Sequence, residues 1–306
     1  MLRTAILLAA RNSGVERLIA HSQLARTVVA RYIAGDDVID AVRVSRQLIA
    51  EGLAVTLDQL GEDSTDEATA EAVTKAYCVL IDALSSAELT PPAEVSVKLS
   101  ALGQRLDPEL AVENAKTICQ AAAAAGTAVT LDMEDHTTTD LTLDALATLR
   151  RDHPTTGAVL QAYLRRTESD CRELATAGSR VRLCKGAYAE PESVGFERAL
   201  DVDRSYVRCL NVLMAGDGYP MLATHDPRLV AIGEERARWY DRTPDTFEFQ
   251  MLHGVRPDEQ LRLARDGYRV RIYLPYGRDW YRYLVRRLAE RPAYLALFAR
   301  SLVSSR

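Results

Sequence analysis

Lysine is scarce in this chain. Only Lys75, Lys98, Lys116 and Lys185 stand among the 38 basic residues, so arginine is the default cation and a lone arginine pair says little. A lysine inside an apolar stretch says more. The five cysteines, Cys78, Cys119, Cys171, Cys184 and Cys209, are odd in number and show no CxxC or similar spacing. Neither a disulfide framework nor a zinc site is indicated, and a reducing cytosol suits them. The five histidines, His21, His136, His153, His225 and His253, include no His-x-His pair of the kind a metal-hydrolase barrel places after an early strand, so no metal is expected. No GxGxxG follows any apolar run, which argues against a Rossmann-held dinucleotide. Positive charge is not in excess: the net charge of -5 speaks against nucleic acid. The run Ala5 to Ala10 is too short for a signal-peptide core, and nothing approaches the ~20 apolar residues that cross a bilayer. Charge runs and Pro-, Gln- or Ser-rich tracts are also missing, so no disordered linker is expected.

What is present is a globular composition, 47% hydrophobic and 26% charged over 306 residues, enough for one or two domains. From Leu2 to about Leu53, Leu18, Ile19, Val28, Val29, Ile33, Val38, Val42 and Leu48 recur at helical intervals. The texture then changes. Eight short aliphatic runs follow: Ala54–Asp58, Glu94–Ser100, Ala128–Glu134, Ala158–Tyr163, Arg180–Lys185, Pro220–His225, Thr246–Leu252 and Tyr268–Pro275. Helix-length stretches separate them, among them Glu67–Leu84, Pro108–Ala125, Asp201–Ala215 and Pro227–Trp239. This alternation predicts an α/β fold, a TIM-like (β/α)8 barrel over 54–306, preceded by an N-terminal helical arm over 1–53.

Alternate residues of a barrel strand face the lumen. The rows Val95, Val97, Leu99; Val129, Leu131, Met133; Ala158, Leu160, Ala162; Val181, Leu183; Phe247, Phe249, Met251; and Val270, Ile272, Leu274 are apolar and suit the helix side. The opposite rows hold Ser96, Lys98 and Ser100; Thr130, Asp132 and Glu134; Gln161 and Tyr163; Arg182; Glu248 and Gln250; Arg271 and Tyr273. A lumen that only supported the fold would be filled with branched aliphatics, because buried charge is costly unless paired or used. These rows therefore predict an active-site cavity near the strand ends.

Lys98 reads as an anion contact or a Schiff-base amine, or else as a structural ion pair with Asp58 or Asp132. Asp132 in turn orients Lys98 or stays a lumen ion pair. Lys185-Gly186 after the fifth strand suits a phosphate, with glycine admitting close backbone approach. The segment from Tyr273 through Pro275-Tyr276-Gly277 runs into a C-terminal helix on which Tyr283, Arg286 and Arg287 share a side, a fit for a small anion with an apolar body. The apolar residues Tyr294, Leu295, Leu297, Phe298, Leu302 and Val303 suit packing on the protein's own body and leave peripheral membrane contact open. Two alternatives stand on the residues alone: an aldolase or lyase forming a Schiff base at Lys98 or Lys185, and a non-catalytic amino-acid-binding barrel.

Val95-Ser-Val-Lys98-Leu-Ser-Ala-Leu102, Leu131-Asp132-Met-Glu-Asp135, Leu160-Gln161-Ala-Tyr163, Val181-Arg182-Leu-Cys-Lys185-Gly-Ala-Tyr188, Ala223-Thr224-His225-Asp226, Glu248-Phe-Gln250-Met-Leu-His253-Gly254 and Tyr273 with Tyr283-Leu-Val-Arg286-Arg287-Leu-Ala-Glu290 resemble, in order, the signatures of FAD-dependent proline dehydrogenases. The likeness is to the short monofunctional bacterial form, without a fused aldehyde dehydrogenase. It implies oxidation of L-proline to Δ1-pyrroline-5-carboxylate with hydride passing to flavin N5, and a membrane quinone as acceptor. A cytoplasmic enzyme in peripheral membrane contact, working beside a separate pyrroline-5-carboxylate dehydrogenase, would follow. By the same resemblance Arg286, Arg287 and Lys98 clamp the carboxylate, Glu290 steadies a guanidinium, and Tyr273 and Tyr283 pack on the ring, Tyr273 disfavouring a 4-hydroxyl. Arg182 would sit by flavin N5 and O4, with Asp132 the second catalytic residue. Met133 and Gln161 would touch the isoalloxazine, and Lys185, Gly186, Ala187, Thr224, His225 and Gln250 would hold the ribityl and phosphate part. Two positions depart from the family: Cys184 replaces an aliphatic residue, expected as a small core hydrophobe, and Asp226 replaces a common asparagine.

Overall fold

The computed structural model describes residues 29–61, 63–281 and 283. Eight parallel strands pair in chain order and close on themselves, β8 returning to β1. They are β1 Ala54–Gln59, β2 Ala93–Val97, β3 Val129–Leu131, β4 Gly157–Gln161, β5 Arg180–Cys184, β6 Tyr219–Ala223, β7 Glu248–Leu252 and β8 Val270–Tyr276. The helices outside them are α1 Val38–Ala50, α2 Glu67–Ser86, α3 Pro108–Ala124, α4 Thr139–Leu149, α5 Thr167–Leu174, α6 Ala199–Ala215, α7 Pro227–Trp239 and α8 Pro257–Arg265. All eight expected strands and the (β/α)8 barrel are present.

Local chemistry starts the helices. Asp37, Asp66, Asp107 and Asp226 each accept a backbone N–H as N-cap of α1, α2, α3 and α7, and proline fills the first turn of α3, α7 and α8. The apolar strand rows are buried under these helices in one continuous core. At Gly233 on α7 an added Cβ would lie 2.7 Å from Leu222 and 3.0 Å from Phe249, so glycine sets how closely that helix approaches the sheet. Of the expected N-terminal arm, residues 1–28 lie outside the described residues. Its described end is tied to the barrel: Ala34 N donates to Pro275 O and Gly277 N to Gly35 O, both at 2.9 Å, and α1 packs on β1 and β8.

Two expected strands end three residues earlier than the alternation implied. Strands β2 and β3 stop at Val97 and Leu131, and the chain turns into short 3-10 helices at Ser100–Leu102 and His136–Thr138. Lys98, Ser100, Asp132 and Glu134 therefore stand on the turns just past the ladder. The lumen below them is charged as well. Arg180 donates to both oxygens of Glu94, at 2.7 and 2.8 Å, and Arg271 reaches Glu248 at 2.8 Å and Glu94 at 3.1 Å. Glu248 and Arg271 thus sit toward the N-terminal ends of the strands, in a closed ion network. Burial raises the Glu248 carboxyl, but the Arg271 and Arg180 guanidinium groups and the Gln250 amide together hold it below its ordinary range.

Candidate active site

Above that network, at the C-terminal ends of the strands, the predicted residues converge. Asp132 uses both oxygens: Oδ1 accepts from Arg182 Nη1 at 2.7 Å and Oδ2 from the Tyr273 hydroxyl at 2.6 Å. The Arg182 guanidinium lies 5.4 Å from the centre of the Tyr273 ring, and its Nε donates to Gln250 Oε1. Its Nη2 is buried without a hydrogen-bond partner among the described residues. A guanidinium held on two sides with a third donor unanswered is a preformed anion or carbonyl contact. Burial first, then the carboxylates of Asp132 and Asp58, push the Tyr273 hydroxyl well above its ordinary range, so it stays a donor at neutral pH.

Lys98 donates to Asp58 at 2.6 Å, both side chains nearly buried. Asp132 is engaged by Arg182 and Tyr273, and Lys98 is paired with Asp58, one of the two partners weighed from the sequence. Burial raises the Asp58 carboxyl, Lys98 opposes this and Asp132 adds to it. Two carboxylates and two cations therefore share one small space. Gln161 at the end of β4 donates to the Glu134 carbonyl at 2.7 Å, and Glu134 accepts from Ser100 N and Oγ, which fixes the turns around Met133. Met133 is buried in the apolar cluster.

Farther round the mouth, Lys185 Nζ lies 2.5 Å from Asp203 and 3.0 Å from Asp226, with Arg228 bonded to the same two carboxylates. Asp226 is held far below the ordinary carboxylate range, by the Arg228 hydrogen bond first and Lys185 second. Gly186 has φ +105° and packs so tightly on the Tyr163 ring that an added Cβ would overlap it. Glycine is required there. The same Tyr163 donates to Glu190 at 3.0 Å, and Glu190 also bonds the His136 ring, so the chain after Lys185 is fastened over the mouth. Ala187 is exposed beside it. Thr224 Oγ1 accepts from Asp226 N at 3.2 Å, and His225 Nε2 accepts from Leu252 N at 2.8 Å, which places the ring proton of the neutral form on Nδ1. Gln250 faces the lumen as its row requires, its amide between Arg182 and Glu248. Cys184 packs against the apolar core, its thiol pushed up to about 11 by burial. Tyr283 is buried; Arg286, Arg287 and Glu290 lie outside the described residues.

Asp58, Asp203 and the His136–Glu190 pair were not singled out from the sequence as site residues. Asp58 had a readable signal, a carboxylate near the end of β1 next to a rare lysine's strand. Asp203 had none, being one acidic residue on a polar helix.

The sequence profile described as proline dehydrogenase matches residues 41–296. Proline dehydrogenase 2 of Bacillus subtilis (strain 168) is 38% identical over 284 residues, 93% of each chain. Proline dehydrogenase of Deinococcus radiodurans is 37% identical over 306 residues, covering 98% of this chain and 97% of its own. The chain belongs to the proline dehydrogenase family. In three dimensions it is similar to proline utilization A from Bdellovibrio bacteriovorus inactivated by N-propargylglycine, with a TM-score of 0.81 and 25% identity over 87% of this chain and 33% of that one. Proline dehydrogenase activity, rather than an aldolase or a silent binding barrel, accounts for these likenesses along the whole length.

Proposed function

We propose that this proline dehydrogenase binds FAD across the barrel mouth and oxidises L-proline to Δ1-pyrroline-5-carboxylate. When bound, FAD supplies the acceptor for the hydride that leaves the ring carbon next to nitrogen. The observation that carries this reading is the unanswered, buried Nη2 of Arg182, a donor in want of an acceptor beside Asp132 and Tyr273. The residues fit such a cofactor: Arg182 toward its ring, Met133 and Gln161 beside it, and Lys185, Gly186, Ala187, Thr224 and His225 along its ribityl and phosphate part.

The rest of the work falls to side chains. Tyr273 and Tyr283 flank the pyrrolidine ring, and Lys98 with Arg286 and Arg287 holds its carboxylate, since a bidentate guanidinium fixes orientation as well as charge. Asp132 holds Arg182 and Tyr273 in register with each other. Proline reacts from its neutral-amine form, so no side chain has to abstract the nitrogen proton. Electrons then pass to a membrane quinone, and the product to a separate pyrroline-5-carboxylate dehydrogenase. Among the described residues no helix is long and apolar enough to cross a membrane, so contact with the quinone pool, on the cytoplasmic side, would be peripheral.

The test is an anaerobic visible spectrum of the protein reconstituted with FAD, before and after L-proline. Flavin bands that bleach with proline and far less with 4-hydroxyproline are expected. A protein that takes up no FAD would overturn the reading.

A further inference from the structure

We infer that Gln250 is a positioning residue for Arg182, with Glu248 setting the polarity of its amide, so that the lower ion network of the lumen fixes the direction in which Arg182 Nη2 points. Hydrogen-bond chemistry allows one arrangement. Arg182 Nε is only a donor, so the Gln250 atom facing it has to be the oxygen. The nitrogen then faces Glu248, whose ionised carboxylate is only an acceptor, and Gln250 Nε2 donates to Glu248 Oε1. Glu248 is itself held on both oxygens: Arg271 Nε donates to Oε1 at 2.8 Å and Nη2 to Oε2 at 3.2 Å, and the Tyr219 hydroxyl adds a contact to Oε2 at 3.2 Å. Arg271 is anchored in turn on the carbonyls of Val55 and Pro92, at 2.9 and 2.8 Å. Gln250 is 2% exposed and Glu248 wholly buried, so water does not compete for these bonds.

The consequence lies at the other end of Arg182. With Asp132 on Nη1 alone, the guanidinium can swing about that one bond; with Gln250 on Nε as well, its plane is fixed and Nη2 has one direction. This rests on the proposed place of Arg182 beside the flavin ring. There, a fixed cation favours the reduced over the oxidised cofactor, because negative charge develops on reduction.

The test is Gln250→Met, close in volume but without hydrogen bonds. Wild-type protein is first shown to bind FAD and bleach with proline, so that failure of the functional reading is seen separately. For Gln250→Met a tenfold loss in preference for reduced over oxidised flavin is expected, read as a two-electron midpoint potential about 30 mV lower. The rate of flavin reduction by proline should fall at least tenfold, with KM for proline changed less than threefold. In an Arg182→Met background the same substitution should change neither quantity further, which a packing role would not predict. A wild-type potential and rate in Gln250→Met, or losses that persist undiminished without Arg182, would overturn the inference. Should Gln250→Met not fold, hydrogen exchange of the Arg182 Nε–H in wild-type apoprotein decides. Slow exchange supports the bond to Gln250, and fast exchange refutes it.

Discussion

Replacing Asp132 by asparagine asks whether its two oxygens act as the structure says. A carboxylate can accept from Arg182 Nη1 and from the Tyr273 hydroxyl at once. An amide has one acceptor: with Oδ1 kept on Arg182, its nitrogen has to donate to the Tyr273 oxygen, so the Tyr273 proton loses its acceptor and Arg182 loses its counter-charge. The Arg182 side chain is 5% exposed and that of Asp132 12%, so water does little to relieve the mismatch. Removing one partner of such a pair costs about 3–5 kcal/mol, and asparagine, which keeps one of the two bonds, should fall near ~3 kcal/mol. With an unfolding entropy of ~2.1 cal/mol/K per residue, a chain of 306 residues loses about 5 °C in Tm for that amount. Catalysis should suffer more than folding, because a donor no longer held for the transition state typically lowers the rate by about 100- to 1000-fold. Thermal unfolding by circular dichroism and anaerobic stopped-flow reduction of the FAD-loaded variant measure the two effects. A variant melting within about 1 °C of wild type and reduced within threefold of its rate would refute the assignment of Asp132 as the group that holds Arg182 and Tyr273.

Asp226→Asn keeps an oxygen for the N-cap of α7 but removes one of the two carboxylates on Lys185; FAD should bind to the apoprotein about two- to fivefold tighter by fluorescence titration, and weaker binding would deny Lys185 a phosphate role. His253 is lowered to about 4 by burial. The unfolded chain, titrating near the ordinary ~6.5, binds the extra proton between those values, so stability falls as pH drops through that window, by up to about 3 kcal/mol. His253→Asn should therefore lose less Tm than wild type between pH 7.5 and pH 5, and parallel losses would rule this out. Arg286→Met combined with Arg287→Met should raise KM for proline strongly while flavin content persists; unchanged proline kinetics would exclude the carboxylate clamp.

The barrel was legible because the helix-facing rows of β2 to β5, β7 and β8 are apolar, a period-two signal repeated at regular spacing. Lumen direction was legible for the same reason, and Arg182, Asp132 and Tyr273 meet as their parity requires. Height along the barrel was not. Alternation says which way Glu248 and Arg271 point but not which residues of the neighbouring strands stand level with them. That depends on strand stagger, which pairs Gln250 with Arg271 and Met221 with Glu248. Strand ends were misjudged where polar alternation continued into turns, as at Lys98 and Asp132. The partners of Lys185 could not be read at all, because Asp203 and Asp226 come from α6 and the β6–α7 turn and meet only after the barrel closes.

The charge balance of the described lumen bears on where proline's carboxylate finds its cation. In the lower network Arg180 and Arg271 answer Glu94 and Glu248. In the upper, Lys98 and Arg182 answer Asp58 and Asp132, while Glu134 adds a further carboxylate bonded to Ser100. At the mouth, Lys185 and Arg228 answer Asp203 and Asp226. A bound carboxylate would thus enter a site whose described cations are already matched by anions, at a cost that grows as water leaves. The proposed clamp at Arg286 and Arg287 removes that cost: two guanidinium groups offset the substrate's charge and the surplus from Glu134 together. This gives a physical reason for two adjacent arginines where one would satisfy the hydrogen bonds of a carboxylate.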